Sequence, residues 1–226
     1  MGYNWDFSPV IRSFDLLLLG LANSALLTAL AFLIGLPIGI ALALMRLSRS
    51  PFLSWPAAIV VDFIRGTPAL VQLFWFFFAL PSLLGVPLEP FTAALVTLSI
   101  LSAAFVSEIF RGGIASVERG QWEAGRSIGM TMAQVMRIVV LPQAVKRMVP
   151  VLLERLIELF KTSTIASAIS YGDLLFEAQS IAQSSYRPLE VFTVTAVMYL
   201  IIIIVLSEMT RLLEYRLARS GEGTLR

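Results

Sequence analysis

Cysteine and histidine are both absent from this 226-residue chain. Their absence excludes disulfides, thiolate chemistry, haem ligation and most zinc sites. The 15 Asp and Glu residues show no metal-ligand spacing, and no nucleophile stands with a base. No Gly-x4-Gly-Lys-Ser/Thr phosphate loop occurs, so nucleotide hydrolysis is not expected of this chain. Charge is scarce as well. Only 14% of residues are charged and 58% are hydrophobic, against about 25% charged in soluble domains. No Lys/Arg run points to nucleic acid, and the net charge is only +2.

What is present is apolar sequence in long stretches, with a mean hydropathy of +0.84. A membrane-spanning helix needs roughly 20 apolar residues. The length therefore allows about five spans with short connections, a single transmembrane domain over residues 1–226, and no soluble domain. The expected spans are Leu16–Leu44, Pro56–Leu80, Phe91–Phe110, about Ala144–Ser170 and about Val191–Met209. The start, with Asp6 and a single Arg12 before a long apolar stretch, reads as an uncleaved first span rather than a signal peptide.

The positive residues orient these spans. With the N-terminus outside, the inner segments hold Arg46 and Arg49, with Arg65 just beyond. They also hold Arg111, Arg119, Arg126, Arg137, Lys146 and Arg147, and in the tail Arg211, Arg216, Arg219 and Arg226. The outer segments hold only Arg12 and Arg187. The expectation is N-terminus out and C-terminus in.

One inner segment is unlike a simple connection. Gly120–Pro142 reads GQWEAGRSIGMTMAQVMRIVVLP, and residues 118–137 read as a pair of short helices. Trp122, Ile128, Met132, Val135 and Met136 supply apolar contacts, and Glu123, Arg126, Gln134 and Arg137 supply polar ones. Gly129 in the middle suits either a turn or a close backbone approach to a partner. By pattern alone the segment is equally an amphipathic helix lying on the membrane surface.

Glu123-Ala124-Gly125, then Gly129, then Val139-x-Leu141-Pro142 resembles the EAA loop of bacterial ATP-binding-cassette importer permeases. Gly125 stands where that motif has a second Ala, and Val139 where it has Ile. Phe63-Ile-Arg65-Gly66-Thr67-Pro68 with Leu70-Val71-Gln72-Leu73-Phe74 is similar to the second span of the polar amino acid permeases, the family for His, Glu, Gln, Arg and opines. So is Glu108-Ile-Phe-Arg111-Gly112-Gly113 leading into Gly120-Gln121-Trp122-Glu123, and Leu141-Pro142-Gln143-Ala144 continues the likeness. The resemblance runs roughly from Gly20 to Leu200.

The resemblance implies an all-α, MetI-like permease core in the bacterial inner membrane, surrounded by lipid. It implies pairing with a second permease subunit, identical or a sister chain. It also implies an ABC ATPase dimer on the inner face and an extracytoplasmic solute-binding protein on the outer. Glu123, Ala124, Gly125, Gly129, Leu141 and Pro142 would couple to the ATPase. ATP and Mg would sit on that partner, with no cofactor on this chain.

Charges within a span are candidate functional groups by default. Glu154 and Glu158 lie four residues apart, on one face of a helix. They are candidates for a solute path with Ser163, Thr164 and Gln72, and two carboxylates suit a cationic or zwitterionic amino acid. Arg155 and Lys161 each lie three residues from Glu158, so internal ion pairs are the competing reading. The resemblance sharpens this, since related permeases carry Asn where Glu154 stands and Lys-Asp-Thr-Ser where this chain has Lys161-Thr162-Ser163-Thr164. Asp62 with Arg65, and Glu108 with Arg111, are expected to pair three residues apart. Asn23 is expected to bond a neighbouring helix. An ion-coupled carrier working alone is the rival, but such carriers commonly show internal repeats, and none is visible here.

Overall fold

The computed structural model describes residues 3–222, and the regular elements among them are all helical. Arg226, assigned above to the inner tail, lies outside the described residues. A short α1 (Ser8–Arg12) precedes α2 (Phe14–Arg46). There follow α3 (Pro51–Gly66), α4 (Ala69–Phe74), a π-helical turn (Trp75–Ala79) and α5 (Leu80–Leu84). Next come α6 (Pro90–Ala115), α7 (Arg119–Ser127), α8 (Met132–Gln134), a second π-helical turn (Val135–Val140) and α9 (Leu141–Thr162). A 3-10 turn (Ser163–Ile169), α10 (Leu174–Ser185) and α11 (Pro188–Glu222) complete the order.

Proline and glycine set many of these boundaries. Pro51, Pro90 and Pro188 open α3, α6 and α11, at the position where the missing N–H has no helical partner anyway. Pro68 takes an extended conformation, φ −62° and ψ 133°, and separates α3 from α4. Gly85, at φ 69°, ends α5 in the left-handed region, where a residue without Cβ is unstrained.

Three of the five expected spans are long apolar helices: α2, α6 and Pro188–Tyr215 of α11. The other two depart from expectation. The second is not one straight helix but is broken at Thr67–Pro68, because proline disfavours a helical residue before it and removes a donor. The fourth falls on α9 and the 3-10 turn. There, Lys146, Arg147, Glu154, Arg155, Glu158 and Lys161 make the helix amphipathic rather than uniformly apolar. After the second expected span the chain stays helical as far as Leu84, and α10 was not expected at all.

The chain forms two compact units. The first comprises the chain up to Leu33, Thr67–Ile100 and Leu156–Ser207. One core there gathers Leu27, Ala31, Leu73, Ala93, Leu98, Leu159 and Ile169, and a second joins Val10 and Leu17 to Leu174, Ile181 and Val191. The N-terminal segment is strapped to the first turn of α11. Tyr3 donates to Glu190 Oε2 at 2.7 Å, the Asp6 N–H donates to Oε1 at 3.0 Å, and Arg187 donates to the Asn4 carbonyl at 2.8 Å.

The second unit comprises Ile34–Gly66, Leu101–Arg155 and the chain from Glu208. Its core packs Ile114, Val117, Val135, Val140, Ala144 and Met148. In this unit α2 meets α6 so closely at Gly39 that a Cβ would sit 2.6 Å from the Ala103 carbonyl and from Val106. Small residues that admit such approach are how membrane helices associate, since lipid gives them no hydrophobic drive to do so. Gly39→Ala is therefore expected to cost about 1–3 kcal/mol by overpacking. Gly66→Ala, which meets open space, is the control. Thermal unfolding of the detergent-purified protein checks this, and equal midpoints for the two variants would refute the close approach.

Candidate functional site: a hinged two-helix segment and a charged helix

The segment 118–142 folds as α7, a tight turn and α8, running through the second π-helical turn into α9. Gly129 lies at φ 83°, so of the two expectations for it the turn is the one its backbone adopts. The Gly129 N–H donates to the Arg126 carbonyl and the Met130 N–H to the Gly125 carbonyl, which closes the end of α7. Thr131 then caps α8: its hydroxyl accepts from the Gln134 N–H, and the Gln134 side chain accepts from the Thr131 N–H at 2.8 Å. Reciprocal capping of this kind satisfies two backbone donors that a helix start leaves free.

Gly125 is buried, and a Cβ there would lie 2.9 Å from the Val135 side chain. Val135 is itself fully buried, so α7 folds back against the second π-helical turn at this point. That contact accounts for glycine at the motif's third position. Trp122 and Met136 pack on the unit's core as expected, and Met130 packs there with them. Ile128 and Met132 do not; both face outward, Ile128 being 74% exposed. Glu123, Ala124 and Gly129 are exposed with them. Leu141 and Pro142, also exposed, open α9. The outward face thus combines apolar side chains with a carboxylate, and none of the described residues of this unit covers it.

The same unit holds a charge cluster centred on Glu108 of α6. Its carboxylate meets Arg46 at 2.6 Å, Arg65 at 3.5 Å, and Arg111 one turn along its own helix. The expected Glu108–Arg111 pair is thus present. Asp62 and Arg65, expected to bond each other, instead go to Arg46 (3.9 Å) and Glu108. Spacing on one helix could not reveal this, because the competing partners come from other helices. Arg155 lies over the Phe105 ring, 3.6 Å from its centroid, and Arg65 lies over the same ring at 5.5 Å. A guanidinium over an aromatic face is attracted by the ring quadrupole.

Along α9, Glu154 and Glu158 are both exposed. Glu158 is paired with Lys161 at 2.5 Å, as the ion-pair reading expected, whereas Arg155 stacks on Phe105. Ser163 is fully buried and donates to the Phe160 carbonyl, and Thr164 donates to the Lys161 carbonyl, each at 2.8 Å. Gln72 turns back to the helix break, donating to the Thr67 carbonyl at 3.1 Å and its hydroxyl at 2.6 Å. These three polar groups are thus engaged by their own backbone or by the neighbouring turn.

Comparison with known proteins fits this architecture. The family model for the inner membrane component of binding-protein-dependent transport systems matches residues 35–219. The chain belongs to that family. It is 36% identical to the arginine transport system permease protein ArtQ of Bacillus subtilis, over 95% of this chain and 98% of that one. It is 39% identical to the L-cystine transport system permease protein TcyB of the same organism, over 95% and 92%. Against the glutamine transport system permease protein GlnP of Escherichia coli the identity is 35%, over 94% and 98%. A solved amino acid ABC transporter with histidines superposes with a TM-score of 0.91 at 37% identity, covering 95% of this chain and 100% of that one. The inward-facing MetNI methionine transporter shares the fold, with a TM-score of 0.71 at 22% identity. This family member is an inner-membrane, multi-pass permease of MetI-like fold.

Two glycine variants test the segment's geometry. Gly129→Ala places a Cβ in the left-handed region and is expected to cost about 1–2 kcal/mol. Gly125→Val should cost about 1–3 kcal/mol through the clash with Val135. Gly120→Ala, facing open space, should stay within about 0.5 kcal/mol. The checks are thermal midpoints and trypsin cleavage after Arg126. Wild-type behaviour of Gly129→Ala would show that the turn is not imposed by the fold.

Proposed function

We propose that this permease carries a polar amino acid inward as the membrane subunit of an ATP-driven importer, with its N-terminus outside and its C-terminus inside. The observation that carries the reading is the Gly129-hinged pair of helices, which presents Glu123, Ala124, Ile128 and Met132 outward from a packed base. Such a face suits a groove on a soluble partner. Glu123, Ala124, Gly125, Gly129, Leu141 and Pro142 form the coupling element for an ABC ATPase dimer, on which ATP and Mg bind. This chain binds no cofactor and does no hydrolysis. A second permease subunit completes the pathway, and an extracytoplasmic binding protein delivers the solute.

The mechanism is a two-state equilibrium biased by nucleotide. Closure of the ATPase dimer draws the docked segments together, and the helices that follow them move as rigid bodies. A coupling element of this kind must transmit force without yielding. Reciprocal capping at Thr131–Gln134 and the Gly125–Val135 contact supply that stiffness.

Glu154 is the solute-facing carboxylate in this reading. It is exposed on α9, whereas Glu158 one turn on is engaged by Lys161. Relatives named for arginine, glutamine and cystine transport support polar amino acids as the solute class, and an exposed carboxylate favours cationic ones. The test is ATP-dependent uptake of labelled arginine, glutamine and glutamate in vesicles holding the full complex, with Glu154→Gln alongside. Losing a hydrogen bond to a charged group is worth about 1.5–3 kcal/mol, so apparent arginine affinity should fall about ten- to hundredfold. A wild-type complex that prefers a neutral or acidic solute, unchanged by the variant, would make Glu154 structural.

A further inference from the structure

The first unit contains a buried acid that the transport reading does not use. Asp173 follows the 3-10 turn and caps α10, its Oδ1 accepting from the Phe176 N–H at 2.8 Å. The residue is fully buried, and among the described residues no donor meets its other oxygen, Oδ2. Among the described residues no compensating cation faces it. The charged neighbour is Glu177, of the same sign, on the first turn of α10. From α11 the half-buried Tyr199 faces it, and from the preceding turn Tyr171.

α2 packs directly on this cap. A Cβ at Gly20 would lie 2.8 Å from the Asp173 carbonyl oxygen. Three and four residues along the same face, the Asn23 amide donates to the Gly172 carbonyl at 2.8 Å, and the Ser24 hydroxyl accepts from the Leu174 N–H at 3.1 Å. Tyr171 closes the contact by donating to the Asn23 carbonyl at 3.3 Å. The acid therefore sits beneath a helix that leaves no room for it to turn outward. An isolated carboxylate in such surroundings takes up a proton rather than bear the desolvation cost.

We infer that Asp173 is a proton-binding site, and that the bound proton permits the close packing of α2 on the start of α10. Burial pushes its carboxyl up to about 7, opposed by the N–H groups at the cap. The unfolded chain ionises near the ordinary aspartate value of about 3.9. The protonated form therefore contributes stability that is full below that value, declines as pH rises, and is gone above about 7.

Infrared spectroscopy of the wild-type complex, with ¹³C introduced selectively at aspartate carboxyls, tests this directly. The chain has four aspartates. Asp6, Asp15 and Asp62 are not buried, so a protonated-aspartate C=O band at pH 6 would be that of Asp173. The partner subunits are left unlabelled by separate expression and reassembly. The band should be present at pH 6, fade towards pH 8 and be missing from Asp173→Asn. That variant, which keeps a neutral cap, should also lose the wild-type fall in melting temperature between pH 5 and 7.5. Absence of the band at pH 6 in wild type would overturn the assignment whether or not the variant folds. So would persistence of the band in the variant.

Discussion

A charge carried on a membrane-spanning helix has to be matched where it sits, because lipid offers neither ions nor hydrogen bonds. Glu108 is where this chain meets that demand. One carboxylate draws in Arg46 from α2, Arg65 from α3 and Arg111 from its own helix. Phe105, one turn earlier on α6, receives the faces of Arg65 and Arg155. α2, α3 and the part of α9 that carries Arg155 are thereby tied to α6 within one unit. The segment 118–142 follows the end of that same helix and packs on its residues Ile109, Phe110 and Ile114.

The other unit answers the same demand differently. Its polar groups are satisfied mainly by backbone: Asn23 on the Gly172 carbonyl, Ser24 on the Leu174 N–H, and Ser163 and Thr164 on the helix behind them. Glu190 collects Tyr3 and the Asp6 N–H and so closes the N-terminal strap. Asp173 alone among these buried carboxylates keeps an oxygen without a donor, and the proton is the partner that completes it.

Much of this was legible in the chain. Apolar runs marked α2, α6 and α11 because their length and composition leave no alternative. Gly129 suited either a turn or a close approach, and its backbone takes the turn; Glu108 with Arg111 paired as their spacing suggests. What was not legible depended on partners distant in sequence. Asp62 and Arg65 were each drawn to another helix, and nothing in their spacing names Arg46. The break at Thr67–Pro68 was written in the proline, yet a hydrophobic run from Pro56 to Leu80 outweighed it. α10 was missed although Asp173 before an apolar run is a helix-start signal. The apolar residues of the segment 118–137 were expected to pack, and Ile128 and Met132 instead face outward.

The central claim is that segment 118–142 docks on an ATPase, and the lack of native cysteine makes it directly testable. Single substitutions Ile128→Cys on the segment and Tyr186→Cys at the far end of α10 would be placed in a complex whose ATPase carries surface cysteines. A short bifunctional maleimide is then applied. An adduct between permease and ATPase is expected from Ile128→Cys, altered in yield by ATP, and none from Tyr186→Cys. An adduct from Tyr186→Cys with none from Ile128→Cys would contradict both the docking assignment and the orientation of the chain.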